Sequence, residues 1–217
     1  LMYVFVGLAL PRGFDVRSAG ATKRRSFTEG LRLFSVRGIR IVMFLSAARL
    51  WINGAWVAFF PLLLVTRGTS VGSAGTVVSA MAIVGTILSP ASGRLAQRYR
   101  VDHLTAFSLT CGAVGLALAP ALTSVPIAYF SALLVGIGHG ISLPMLLVLI
   151  SNAVPADQRG LALGLRSSVN QAAAATAPPL VAGVIGATAA AVGFPLAAVI
   201  GLGLVISAVA TTRGGPP

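Results

Sequence analysis

The sequence predicts an all-α protein, a polytopic bundle of transmembrane helices. Hydrophobic residues make up 56% of the 217 positions and charged residues only 9%, whereas a soluble domain of this length needs far more polar surface. Runs of about twenty mostly apolar residues recur along the chain, and each can cross a hydrocarbon core of about 30 Å as a helix. We therefore expect a multi-pass protein embedded in a lipid bilayer.

The apolar runs predict six spans joined by short connections. These runs cover residues 41–65, 71–92, 104–122, 125–150, 161–186 and 188–210, so that 41–210 form a six-helix bundle followed by a tail, 211–217. Pro144 lies inside the fourth run, and Pro178 and Pro179 lie inside the fifth. Such prolines are tolerated because neighbouring helices and waters satisfy the freed backbone groups.

Two different stretches precede the bundle. Residues 1–10 are apolar but too short to span, so we interpret them as the end of a preceding transmembrane helix and the chain as a fragment. Residues 11–40 are basic and are predicted to form a cytoplasmic loop. In this loop Ser26 and Glu29 have capping-box spacing. An apolar stripe follows at i, i+4 and i+7, formed by Phe27, Leu31 and Phe34. The stripe favours an amphipathic helix on the membrane surface, with a flexible linker as the alternative.

The basic residues are distributed asymmetrically. Sixteen Lys and Arg against four acids give a net charge of +12. Fourteen of the sixteen fall on one side of the predicted bundle, Arg67 falls on the other, and Arg49 lies inside a span. The positive-inside rule then places both ends in the cytoplasm, apart from the N-terminal stub. The basic stretch lacks interleaved aromatic residues and zinc-ligand spacing, so we expect no nucleic-acid partner.

The connection between the second and third runs resembles a cytoplasmic motif of the major facilitator superfamily, G-x-L-a-D-r-x-G-r-r/k. The residues that carry the resemblance are Gly93, Arg94, Leu95, Ala96, Gln97, Arg98, Tyr99 and Arg100. In that family the motif forms a gating loop, in which Gly permits close packing and the basic side chains hold the cytoplasmic face. Gln97 replaces the usual Asp and Tyr99 the usual Gly, as in the degraded copy often found in the C-terminal half of the family.

Two further segments are similar to elements of the same superfamily. Residues 154–160 form a Pro-x-x-x-Arg-Gly loop, and residues 177–183 resemble its G-P-x-x-G element. The resemblance implies half of a 12-helix transporter, comprising the end of helix six and helices seven to twelve, with the N-terminal six-helix half missing. It implies a secondary carrier of a small-molecule substrate that works by alternating access, and it suggests proton-coupled efflux. The almost lysine-free composition is typical of a GC-rich bacterial genome and hence of a bacterial plasma membrane.

Polar residues inside the spans are the candidates for a substrate cavity. The first run carries three of them on one helix face, at i, i+4 and i+7: Arg49, Asn53 and Trp56. Arg49 is interpreted either as an anion-attracting or gating residue in the cavity or as a side chain that snorkels to the cytoplasmic interface.

His139 and two amides complete the list of candidates. His139 lies between glycines in the fourth run and would either carry protons or form an interhelical hydrogen bond. Asn170 and Gln171 in the fifth run would either contact substrate or join helices. Trp51 is expected to face lipid or to pack.

Functions of other classes fit less well. A rhomboid-type protease needs a Gly-x-Ser-Gly nucleophile, which the sequence lacks. All four acids lie outside the predicted spans, which argues against an intramembrane metal site or a carboxylate pair. We therefore expect no enzyme, no metal and no cofactor. A six-span channel or a permease subunit is the remaining alternative, although no aquaporin or potassium-filter sequence is present.

Overall fold

The computed structural model describes residues 32–121, 124–187 and 189–213. Within these residues six long helices follow one another: α1 (Arg37–Thr66), α2 (Val71–Arg98), α3 (Val101–Leu118), α4 (Val125–Ala153), α5 (Arg159–Ala187) and α6 (Ala190–Arg213). Short 3₁₀ turns lie at Leu33–Ser35, Ala119–Ala121 and Ala156–Gln158. The apolar stub and most of the predicted amphipathic helix, including Ser26 and Glu29, lie outside the described residues.

The helices confirm the predicted bundle of apolar spans. Five of the described helices, all except α5, are long and apolar enough to cross a membrane. Helix α5 has 29 residues, a length of about 43 Å, but its sequence includes serines, Asn170 and Gln171. These polar side chains are as expected of a helix that faces other protein or water rather than lipid.

Helix α4 is held between α2 and α3 by Gly136, Gly138 and Gly140. A methyl group on Gly136 would lie 2.8 Å from the Met81 carbonyl oxygen of α2, and one on Gly138 would lie 2.9 Å from the Ser108 carbonyl oxygen of α3. Two residues of an α-helix are separated by a rotation of about 200°, so this spacing presents small residues to both neighbours. The close approach of the backbones fixes α4, and with it His139, between α2 and α3.

Helix α1 packs against α5 and α6. The Trp51 indole N–H donates to the Ala197 carbonyl oxygen of α6 at 3.1 Å, which confirms that Trp51 is a packing residue. At the start of α1, Arg37 Nε donates to the Thr211 carbonyl oxygen of α6 at 2.7 Å. These contacts fix the rotation of α1 and therefore the direction in which its polar face points.

The superfamily motif is mostly helical, which corrects the prediction of a loop. Helix α2 continues to Arg98, so only Tyr99 and Arg100 connect it to α3. A methyl group on Gly93 would meet no described atom within 4 Å. Gly93 therefore does not provide close packing within the described bundle. Arg100 instead makes a forked ion pair with Asp102 at the start of α3, with Nη2 2.9 Å from Oδ2.

Candidate functional site

A part-buried contact joins Arg49 of α1 to His139 of α4. Nη2 of Arg49 lies 3.2 Å from Nδ1 and 3.1 Å from Nε2 of the imidazole. Arginine is only a donor, and a neutral imidazole has one nitrogen that can accept a hydrogen bond. A hydrogen bond from Arg49 to His139 therefore needs the neutral ring, because a protonated ring would offer two donors to a guanidinium cation.

Both residues lie deep in the bundle. Arg49 is about 18 Å along its helix from Arg37, and His139 about 21 Å from Val125. The Arg49 side chain is only 8% exposed and is directed towards His139 rather than towards the end of α1. The side chain therefore does not extend along α1 towards its N-terminal end, as a snorkelling arginine would.

A small cavity lies beside this contact. Its lining comes from α1, α3 and α4: Arg49, Ile52, Asn53, Leu109, Gly112, Val135, Gly138 and His139. The cavity is about the size of a single water molecule. Arg49 Nε and Asn53 Oδ1 are both buried and have no hydrogen-bond partner among the described residues. Two polar groups of the predicted face therefore have unused hydrogen-bonding capacity next to this cavity.

A larger groove that His139 also lines lies between α2 and α4. It is open, has a volume of about 420 Å³, and is lined by Met81, Ala82, Gly85, Thr86, Ser89, Pro90, His139, Gly140 and Leu143. This volume is in the range of small-molecule sites. His139 lines both this groove and the small cavity beside Arg49.

Trp56 does not belong to this cavity, which corrects its assignment to the same polar face. Its side chain is fully buried in the hydrophobic core and packs on Phe60 with the ring centroids 4.8 Å apart. The indole N–H donates to Ser131 Oγ at 2.8 Å, and this hydroxyl donates to the Gly115 carbonyl oxygen at 2.8 Å. Trp56 therefore joins α1, α4 and α3 as a structural residue.

Helix α5 contributes polar groups that only partly match the prediction. Asn170 Oδ1 is buried and has no partner among the described residues, whereas Gln171 is exposed. Sequence reasoning missed Arg166, which was grouped with the cytoplasmic loop arginines. Arg166 is only 8% exposed, and its Nε donates to Ser46 Oγ of α1 at 3.2 Å.

The described acids lie at helix ends. Asp102 is in the first turn of α3, and Asp157 is in the 3₁₀ turn between α4 and α5. In the described ranges no group of three His, Cys, Asp or Glu side chains is arranged to hold a metal ion. The described site is therefore cationic and amide-rich, with His139 as its titratable ring.

The comparison with protein families agrees with this architecture. The family description Major Facilitator Superfamily matches residues 2–178 and also residues 39–216. The two matches overlap and together reach almost from end to end of the chain. No curated protein matches the chain in sequence. The family match confirms the resemblance carried by the motifs around Gly93, Pro155 and Pro178, and the chain therefore belongs to the major facilitator superfamily, a family of membrane transporters.

Proposed function

We propose that this chain is the C-terminal six-helix half of a secondary carrier, which moves a small molecule by alternating access together with an N-terminal half. The observation that carries the proposal is the part-buried contact between Arg49 and His139, at mid-depth in helices that span the membrane. Carriers bind substrate near the bilayer midplane, between two halves that rock about the site. The open groove beside His139 gives a substrate access from one side of the bundle.

The outer faces of α2 and α5 support the need for a second half. In the most apolar part of α2 only 22% of the residues are buried inside the bundle, whereas in the corresponding part of α4 50% are buried. Helix α5 exposes Gln171, whose amide would be costly against lipid. Both observations fit helices that are covered by protein or by an aqueous cavity in the complete carrier.

Proton-coupled efflux is the finer part of the proposal. Among the polar residues of the site, His139 would carry the proton, because histidine changes charge near neutral pH. Arg49 faces it directly, so protonation would place two cations in contact and drive them apart. We further propose that the membrane is the bacterial plasma membrane, with the basic connections on the cytoplasmic side.

Cysteine labelling tests whether α5 faces an aqueous cavity. In the full-length gene product with Cys111 replaced by Ala, we expect Gln171→Cys to react with a membrane-impermeant maleimide. Val199→Cys is the matched control, because Val199 is 62% exposed on the apolar helix α6 and would face lipid. Protection of position 171 together with labelling of position 199 would contradict the proposed arrangement.

Reconstitution tests the carrier mechanism itself. Proteoliposomes that contain the full-length product should show saturable exchange of a transported compound, accelerated when the same compound is present on the opposite side. A channel or permease pore would instead give currents or fluxes that do not saturate. That outcome would reject alternating access in favour of the channel alternative.

A further inference from the structure

Two buried arginines of this half have no acidic partner among the described residues. Arg49 and Arg166 are each only 8% exposed, and the ion pairs of the described residues involve Asp102 instead. Arg166 Nε lies 3.2 Å from Ser46 Oγ, which is one helical turn from Arg49 on α1, so the two cations lie in the same part of the bundle. Burial of a charge without a counter-charge is costly, and so is burial of two like charges side by side. The region therefore has a strong electrostatic preference for an added negative charge.

The same pattern of residues occurs on both helices. Arg49 is followed four positions later by Asn53 on α1, and Arg166 is followed four positions later by Asn170 on α5. Residues four apart lie on one face of a helix. In each pair the asparagine Oδ1 is buried and has no hydrogen-bond partner among the described residues. Each helix therefore presents one cation and one amide with unused hydrogen-bonding capacity.

A contact between the helices brings the two pairs together. Arg166 Nε donates to Ser46 Oγ, and Ser46 lies one turn before Arg49 on α1. Consecutive spans alternate in direction, so α1 and α5 run the same way. The segments 46–53 and 166–170 therefore lie side by side at similar depth. This placement creates one polar site rather than two separate buried arginines.

We propose that the transported substrate carries an anionic group, a carboxylate or a phosphate, which binds between Arg49 and Arg166. This inference rests on the proposed carrier function and names its substrate class. Arginine presents a planar fork of donors that matches both kinds of anion. The NH₂ group of each asparagine amide can supply further donors, because the amide orientation follows the hydrogen-bond network.

In this site His139 is a positioning residue. Its neutral ring accepts a hydrogen bond from Arg49 and so holds the guanidinium without neutralising its charge. The cavity beside Arg49 and Asn53 holds about one water molecule, so it admits the anion only when the His139 ring moves aside. His139 also lines the open groove between α2 and α4, which makes this groove the candidate route from the open side of the bundle.

Thermal unfolding of the full-length gene product tests the proposal with simple probes. We expect benzoate, citrate or inorganic phosphate to raise the melting temperature, and neutral benzamide to leave it unchanged. Arg49→Gln should lower the affinity for the stabilising anion by about tenfold or more, which corresponds to the loss of a charge-assisted hydrogen bond. Arg67→Gln is the matched control, since it removes the same charge from an exposed turn and should retain the stabilisation.

An internal carboxylate provides a second test that needs no ligand. Asn53→Asp changes shape very little but places a negative charge beside Arg49, so it should raise the melting temperature and abolish the effect of added anions. Asn152→Asp makes the same change at an exposed position and should do neither. This pair separates local neutralisation of the arginines from a general change in net charge.

Three results would overturn the proposal. The first is that none of the three anions stabilises the protein. The second is that benzamide stabilises it as well as benzoate does. The third is that stabilisation survives Arg49→Gln. A stabilising Asn53→Asp with no response of the wild type to anions would assign the counter-charge to an acidic side chain elsewhere in the protein. Anion binding without saturable exchange would instead reject the carrier function and leave the anion site intact.

Discussion

The contact between Gly140 of α4 and Gly85 of α2 provides a sharp test of the architecture that positions His139. A methyl group on Gly140 would lie 2.7 Å from the Gly85 Cα and closer still to the carbonyl oxygen. A methyl group on Gly85 would meet its nearest neighbour, the Gly136 carbonyl oxygen, at 3.6 Å, and His139 Cδ2 at 3.7 Å. The same substitution on the two sides of one interface should therefore have different effects.

The expected magnitude follows from these distances. Carbon atoms in contact prefer a separation of about 3.5–4.0 Å, so Gly140→Ala must push the two backbones apart by roughly 1 Å. Overpacking of this kind costs about 1–3 kcal/mol, and the better helix propensity of Ala offsets about 0.5–1 kcal/mol. Gly85→Ala has an ordinary contact and gains the same offset, so its stability should be unchanged or slightly higher.

Thermal unfolding in detergent measures the difference. We expect Gly140→Ala to lower the apparent melting temperature by roughly 2–8 °C for a chain of this size. Gly164→Ala on α5, where a methyl group would meet nothing within 4 Å, is the control for the propensity effect. Equal stability of the Gly140→Ala and Gly85→Ala proteins would refute the assigned packing of α2 on α4.

Other contacts make further predictions. A double-mutant cycle with Arg49→Met and His139→Leu should give a coupling free energy of about 0.5–3 kcal/mol, measured by thermal or denaturant unfolding; additive effects would show that the two side chains do not interact. Trp56→Phe should cost about 1 kcal/mol because it removes the hydrogen bond to Ser131, and an unaltered melting temperature would count against that bond. Gly68 has a φ of +88°, so Gly68→Ala should destabilise the turn between α1 and α2 by about 1–2 kcal/mol in the same assay, and a neutral result would be inconsistent with the left-handed conformation.

The membrane-spanning helices could be predicted because their physical requirement is local. A span needs about twenty apolar residues in a row, and each boundary of such a run is visible in the sequence. The predicted end of the second span was wrong, because helix α2 continues beyond the last residue of the apolar run. The segment from Gly93 to Arg98 is polar and was assigned to a loop, yet it continues α2, because the backbone hydrogen bonds of a helix can extend beyond the membrane into the interface.

The site was only partly predictable because the exposure of a helix face depends on its neighbours. The i, i+4, i+7 pattern placed Arg49, Asn53 and Trp56 on one face, but Ser131 binds the indole of Trp56 and places it in the core. Arg166 lies early in the fifth run, and its burial against Ser46 depends on a contact between helices that the sequence does not show. The repeated Arg-x-x-x-Asn spacing was the signal in the sequence that could have found Arg166.

The absence of acids among the described residues of the bundle interior determines how this half can respond to its substrate. The contact of Arg49 with His139 involves Nη2 alone, so Nε remains without a partner among the described residues and the positive charge of the guanidinium remains unbalanced. A bound anion would neutralise that charge and reduce the repulsion between Arg49 and Arg166, so the loaded site would tolerate closure that the unloaded site resists. In a carrier, closure of the empty site is the step that governs whether transport is exchange or net flux. Asn53→Asp, which supplies a negative charge internally, should therefore permit closure without a bound anion and raise net flux relative to exchange.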